Sequence, residues 1–371
     1  TAHRWMIFFL PLAGLVIVAS YRVTKMQDDR GTEFVIGAVR EGRVLRFRTA
    51  PLIFLGTVLT HLTGGSAGRE GAALQLGGCL SGSLGRVLRL DDKDERIITM
   101  CGMAGGFSAL FGTPLAAAVF AMEVESIGAM YYAALVPCVL SALIANVISS
   151  LFGVASTSFT LAAIPELSAI SLLQAIGLGI VFGALASLFC RAMHIGGTLY
   201  KKIENPYLRI VVGGCIVALL SLLVRSGDYN GAGMSVISAA LAGHAVPWAF
   251  ALKIVFTVLT LGAGFKGGEI VPCFFVGATC GCVVAPLLGM DAGFGAALGL
   301  IAVFCGVTNS PMTSILLGYE LFGGQGLALL AMCAAVSYLL SGYSGLYREQ
   351  KIIYSKTSPV FIGRKGGEEK Q

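Results

Sequence analysis

The chain has 371 residues, of which 56% are hydrophobic and 12% charged, with a mean hydropathy of +0.82 and a formal net charge of +6. Soluble domains carry about 25% charged residues, so this composition excludes a water-soluble enzyme, a disordered chain and a nucleic-acid binder, and describes a polytopic helical membrane protein. The 50 glycines are roughly twice the usual share, which in an apolar chain indicates close helix packing and broken helices.

The chain starts at Thr1 without a methionine and enters an apolar stretch, 5–21, almost at once. Its amino terminus is therefore read as cut, with a preceding helix missing. A cleaved signal peptide fits less well, because a basic segment and not a small-residue cleavage site follows. Within 22–48, Gly31-Thr32-Glu33-Phe34 precedes a short helix-like stretch to Val39. It offers either a helix amino terminus for an anion or an ordinary loop. Apolar stretches follow at 50–63, 72–89, 98–122, 129–153, 168–197, 207–224, 246–264, 270–289, 292–306, 311–322 and 325–341. Some are long enough to span a bilayer and others are short. Gly64-Gly65, Gly105-Gly106 and Gly267-Gly268 read as breaks between them, as in transporters whose half-helices meet near mid-membrane. Basic residues cluster at 22–48, 86–96, 201–209 and after 348, which marks candidate cytoplasmic segments. Tyr343, Tyr347 and Tyr354 fit an interfacial belt, and 348–371 a polar cytoplasmic tail. The ten cysteines lack metal-ligand spacing and read as small packing residues. The four histidines are scattered, with His61 nearest a motif.

An internal repeat is visible. Residues 62–82 (LTGGSAGREGAALQLGGCLSG) match 261–281 (LGAGFKGGEIVPCFFVGATCG) at a constant offset of 199, from Leu62 to Leu261. Gly65/Gly264, Gly68/Gly267, Glu70/Glu269, Gly78/Gly277 and Gly82/Gly281 coincide. Downstream, TPLAAAVFAME and SPMTSILLGYE both read Pro-x8-Glu, aligning Pro114 with Pro311 and Glu123 with Glu320. Two halves of similar fold follow. Similarity alone leaves open whether they run parallel or inverted.

Glu70 and Glu269 each follow a Gly-rich turn and open an apolar helix. A carboxylate in hydrocarbon is expensive and points to function. At a helix start it gains from unpaired N–H groups and the positive dipole end, and those same groups form an anion site once it moves away. A glutamate that competes with an anion can also carry a proton, which gives a route to anion/proton exchange. The alternative is a static capping carboxylate. Arg69 and Lys266 read as rim charges. Glu123 and Glu320 close the Pro-x8-Glu helices, where a carboxylate opposes the dipole, so each needs a partner or water. Packing and a proton-path role stand level for Glu123; packing is favoured for Glu320.

At Gly68-Arg69-Glu70-Gly71 and Gly268-Glu269-Ile270-Val271-Pro272 the chain resembles the CLC family of chloride channels and anion/proton antiporters, over about residues 10–355. The resemblance implies an all-α polytopic membrane protein of the CLC fold, with two similar, inverted halves and broken helices meeting at a mid-membrane anion site. It implies a transmembrane domain over 1–347, with halves of about 1–160 and 161–347, and a homodimer in the lipid bilayer with one anion pathway per subunit. Within the family the chain resembles the fluoride/proton antiporter branch, CLC-F. Ala72 stands where other members have the proline of GxEGP, Glu269 enters the GxFxP element, and Val124 occupies the place of an intracellular proton glutamate. Carried over, Glu70 is the gating, proton-carrying glutamate and Glu269 the second carboxylate. The anion-binding residues are then Gly31, Thr32, Gly68, Arg69, Gly71, Ile270, Val271 and Tyr347, with the first loop at about Arg30 to Thr32. Two positions depart from the branch: Thr32 stands where methionine or asparagine is usual, and Val271 where a hydroxyl is common.

The expectation is a fluoride/proton antiporter of the inner (plasma) membrane that exports cytoplasmic fluoride in exchange for protons, with no cofactor, metal or nucleic acid. The alternatives are a chloride/proton antiporter or chloride channel of the same family, and a non-transporting structural or sensory membrane protein. An enzyme is excluded by the lack of a nucleophile–base pair, metal cluster or phosphate loop.

Overall fold

The structure, a computed structural model, describes residues 4–27, 29, 31–41, 45–358 and 360–365, with Arg4, Glu41, Arg364 and Lys365 described without their side chains. Arg30 and the end of the polar tail lie outside the described residues. A 3-10 turn at Arg4–Phe9 leads into α1 (Leu10–Val23), followed by α2 (Thr32–Glu41), α3 (Thr49–Leu62), α4 (Glu70–Val87), α5 (Asp92–Phe111), α6 (Pro114–Glu123) and α7 (Leu135–Leu151). The second half contains α8 (Ala169–Lys201), α9 (Pro206–Val224), α10 (Met234–Leu241), α11 (Ala249–Ala263), α12 (Ile270–Val284), α13 (Ala292–Thr308), α14 (Pro311–Phe322) and α15 (Leu327–Leu340). Among the described residues five helical stretches are long and apolar enough to cross a membrane: Trp5–Val23, Tyr132–Leu151, Ala169–Lys201, Pro206–Val224 and Ile270–Leu288. α8, with 33 residues, is about 50 Å long, longer than the hydrocarbon core is thick, so it tilts or extends beyond the core.

Several helix ends follow directly from sequence. The Asp91 side chain accepts from the backbone N–H of Lys93 and Asp94, at 3.0 and 2.8 Å, to cap α5. Ser168 forms a capping box for α8, and Asn205 and Asp291 cap α9 and α13; such caps supply acceptors to N–H groups left unpaired in the first turn.

The apolar stretch 98–122 is two helices. Gly112, at φ +73°, ends α5 in the left-handed conformation that a residue without Cβ adopts at no cost, and Pro114 opens α6. Conversely, the expected break at Gly105-Gly106 is absent: both lie inside α5. A Cβ on Gly106 would overlap the Ala73 carbonyl of α4, so this glycine serves helix-to-helix contact.

The halves are inverted, and two contacts between equivalent segments demonstrate it. Gly68 N–H donates to Gly268 O at 2.7 Å and Gly268 N–H to Gly68 O at 2.9 Å, an antiparallel bridge. The Pro-x8-Glu helices also pair head to tail. Glu123, ending α6, accepts from Met312 N (3.0 Å), Thr313 N (2.8 Å) and Thr313 Oγ1 (2.6 Å) at the start of α14. Glu320, in the last turn of α14, accepts from Leu115 N and Ala116 N, both at 2.9 Å, at the start of α6. Repeat-equivalent elements that touch antiparallel are related by an axis perpendicular to them, which turns one half upside down relative to the other. Each glutamate therefore has the partner that its position demanded: the free N–H groups of the opposite helix.

The tail does more than trail away. β2 (Lys351–Tyr354) and β3 (Phe361–Lys365) pair antiparallel, and β2 runs parallel to β1 (Ser126–Ile127), which follows α6. Lys356 Nζ donates to Asn309 Oδ1 (2.5 Å) at the end of α13 and to Tyr338 O (2.8 Å) near the end of α15. Cations are favourable at helix carboxyl ends, and this one ties the tail onto the bundle.

Candidate anion site

The site is built where helix starts converge. Glu70 is the first residue of α4 and Glu269 immediately precedes α12. Glu70 does not satisfy its own helix alone. Its Oε1 accepts from Ile270 N at 2.6 Å and Val271 N at 3.1 Å, the first N–H groups of α12 in the other half. A buried carboxylate thus occupies the positive end of a buried helix, the position where a free anion is stabilised.

Glycines make this approach possible. A Cβ on Gly68 or on Gly268 would overlap the Glu70 carboxyl group, and one on Gly71 would lie 2.7 Å from Thr32 Oγ1 and 3.0 Å from Gly268 Cα. Gly68, Gly71 and Gly268 therefore keep the space for two chain segments and one carboxylate to share. Thr32 is the first residue of α2 and is buried; Gly31 before it turns at φ +74°, its N–H bonded to Asp29 Oδ1 at 3.0 Å. The amino termini of α2, α4 and α12 are therefore neighbours.

Tyr347 closes the group. It is 2% exposed, so a belt position at the lipid interface is excluded for it. Its hydroxyl, Glu70 Oε2 and Glu269 Oε2 are buried without a hydrogen-bond partner among the described residues, and Tyr347 lies within electrostatic reach of Glu269, Glu70 and Glu33. The segment carrying it is clamped to α2: Glu33 Oε1 accepts from Arg348 N at 3.1 Å, Arg40 pairs with Glu349 Oε2 at 3.1 Å, and Arg40 also reaches the Glu349 carbonyl. Tyr343, by contrast, donates to Ser355 Oγ at 3.1 Å, and Tyr354 is exposed beside Phe361 on the tail sheet.

Arg69 is exposed and lines a cavity of about 740 Å³ together with Thr57, His61, Asp228, Asn230 and Ser235. It remains a rim charge. Lys266 does not: its Nζ lies 3.4 Å from Asp29 Oδ2 and 4.1 Å above the Tyr21 ring centroid, so it fastens the segment before α2 to the loop before α12.

Two buried polar side chains escape a reading by motif. Lys253 on α11 is fully buried; its Nζ donates to Tyr229 O (3.1 Å) and Gly231 O (2.7 Å), lies 5.1 Å over the Phe275 ring and is within electrostatic reach of Glu70. Gly231 N in turn donates to Gly65 O at 3.0 Å, so the lysine holds the cavity loop to α11 and that backbone bond holds the loop to the turn before Glu70. A signal for it was present, since a lone lysine in the apolar stretch 246–264 is costly unless partnered. The second is Gln75, five residues after Glu70.

Comparison with known proteins places the molecule. Residues 13–342 match the family model described as voltage gated chloride channel. The chain belongs to this CLC family. It is 38% identical over 362 residues to a chloride/fluoride channel protein of Pseudomonas syringae pv. tomato, covering 95% of this chain and 80% of that one. The crystal structure of a CLC-type fluoride/proton antiporter superimposes with a TM-score of 0.90 at 35% identity, covering 94% of this chain and 88% of the other. That of a slow cyanobacterial Cl-/H+ antiporter superimposes with a TM-score of 0.78 at 20% identity, over 91% and 83%, and shares the fold. The CLC chain is thus an all-α, multi-pass membrane protein of a family of transporters and channels, not enzymes.

Proposed function

We propose that this CLC protein is a fluoride/proton antiporter that exports cytoplasmic fluoride in exchange for protons across the inner (plasma) membrane as a homodimer. One observation carries the reading: the Glu70 carboxylate sits on the Ile270 and Val271 N–H groups, where a transported anion would bind. Ionised, it holds the site shut; protonated, it loses the attraction to the α12 dipole and yields to the anion. Fluoride is strongly hydrated, so its site must replace water with close N–H and O–H donors. Thr32 Oγ1, the Tyr347 hydroxyl and the α2 and α12 amino termini are the donors at hand. Glu269 holds a second carboxylate within electrostatic reach of Glu70 and Glu33, available to pass the proton onward. The likeness to the fluoride/proton antiporter structure supports the ion and the exchange. Thr32, a hydroxyl where the fluoride branch usually has methionine or asparagine, favours chloride as the second reading.

The test is efflux from proteoliposomes, recorded with fluoride and chloride electrodes and an external pH trace. Fluoride efflux with proton uptake and little chloride movement is expected; chloride efflux at an equal or greater rate overturns fluoride in favour of chloride. The homodimer is tested by light scattering of the purified protein, where a monomer mass refutes it.

Gly68→Ala tests the shared position. The backbone of Gly68 lies outside the left-handed region, so alanine is tolerated there, and its methyl displaces the flexible end of Glu70 rather than backbone. The methyl would stand 2.3 Å from the Oε1 position that the anion takes over, so anion binding should weaken about tenfold. Calorimetric titration with sodium fluoride reads it, and an unchanged Kd would mean that the carboxylate and the anion do not share a site.

A further inference from the structure

The face of α4 that meets α2 is a stripe of small residues with a single large polar member. Gly71, Gln75, Gly78 and Gly82 recur at helical spacing. A Cβ on Gly71 would meet Thr32 Oγ1 at 2.7 Å, and one on Gly78 would meet Val35 at 2.7 Å, so the glycines let α2 lie against α4. Gln75 interrupts them beside Gly31: its Nε2 is 3.5 Å from where a Gly31 Cβ would stand. The side chain is 1% exposed, and neither Nε2 nor Oε1 has a hydrogen-bond partner among the described residues. A buried amide left unpaired is costly, and such groups in native structures call for an explanation. Glycine, which packs at three of these four positions, would avoid that cost.

The amide is not placed at random along the helix. It faces the start of a ten-residue helix, α2, whose first N–H groups have no acceptor within the helix and form the positive end of its dipole. Gly31 N is taken by Asp29 Oδ1 and Phe34 N by Gly31 O; the Thr32 N–H lies between them in the chain, and the Thr32 hydroxyl stands beside Gly71, one turn before Gln75. A carboxamide contributes two N–H donors and no charge. It can therefore replace water around a small anion without repelling or trapping it.

We infer that Gln75 is a specificity-determining ligand of the anion at the α2 amino terminus, its amide N–H donating to a small, strongly hydrated anion such as fluoride. This rests on the reading above that the helix starts hold the transported anion. The physical basis of selectivity is desolvation. Fluoride loses more hydration than chloride on entering the site, so each added donor favours the smaller ion. Gln75 supplies a donor beside Gly31, in a site where Val271 supplies no side-chain hydroxyl.

The experiment uses the full chain, purified and reconstituted, with Gln75→Met and Gln75→Glu. Methionine keeps the length of the side chain and removes its donors; glutamate keeps the shape and places an acceptor there. Binding of sodium fluoride and of sodium chloride is measured by calorimetry, and the fluoride-to-chloride flux ratio and the number of protons per anion by electrodes. The expected result is fluoride binding weakened about tenfold or more in both variants, as for loss of one hydrogen bond to a charged partner. Chloride binding should change by less, the flux ratio should fall accordingly, and proton coupling should persist because Glu70 is untouched. Unchanged fluoride binding in either variant, or an equal loss for both anions, would overturn the assignment and make Gln75 a packing residue. Wild-type protein that carries chloride rather than fluoride would refute the proposed substrate instead; the role of Gln75 would still be read from the shift in the binding ratio.

Discussion

Glu70→Gln should abolish proton movement while leaving the protein folded. Glutamine matches glutamate in shape, and its carbonyl oxygen can still accept from Ile270 and Val271 N–H, the bonds at 2.6 and 3.1 Å. It cannot take up and release a proton. Removal of a proton-transferring side chain costs about 10² or more in rate, so proton uptake driven by a fluoride gradient should fall by at least about that factor. Any remaining anion flux should run down its own gradient without acidifying or alkalinising either compartment. Because the shape and the hydrogen bonds are kept, the apparent Tm should match wild type. Proton-coupled transport at a normal rate in this variant would sink the mechanism, because among the described residues no other side chain links the two helix starts in the same way.

The second large effect is structural. Glu123→Ala should lower stability by about 3 kcal/mol, since it leaves Thr313 N and Thr313 Oγ1 unpaired in a buried place, frees Met312 N at the exposed edge and removes a cap on α14. For a chain of 371 residues that corresponds to a fall of about 4 °C in apparent Tm, measurable by thermal size-exclusion fluorescence in detergent. Glu320→Ala, at the half-exposed mirror position with two backbone partners, should cost about 1 kcal/mol. Glu123→Gln should fall between wild type and Glu123→Ala, because one oxygen still accepts. If Glu123→Ala were as stable as wild type yet failed to couple protons, the side chain would belong to the proton path and not to the frame. The reciprocal capping argues for the frame: it joins the two halves at α6 and α14.

What could be read in the chain beforehand depended on periodicity and on cost. The membrane class follows from hydropathy, because hydrocarbon admits few charges. The repeat follows from the matched glycines and the two Pro-x8-Glu segments, and the pair Glu70 and Glu269 stands out because a carboxylate at an apolar helix start is expensive. Other features depended on which surface each residue meets. Gly105-Gly106 and Gly64-Gly65 look alike in sequence; the first pair packs inside α5 against its neighbours, while Gly64, at φ +84°, turns the chain. Lys266 reads as a solvated charge until Asp29 and Tyr21 are seen beside it.

The amino-acid sequence by itself determined the solvent, the two-fold repetition and the identity of the carboxylates, because composition, spacing and burial cost are properties of residues taken in order. Only the tertiary structure decided that the halves are inverted, that Glu70 caps α12 rather than its own helix alone, and that the Gln75 amide faces the start of α2. These depend on contacts between residues about 40 to 200 positions apart, for which backbone N–H groups supply the partners. Every residue but proline has such a group, so no side-chain pattern announces which of them a carboxylate will find.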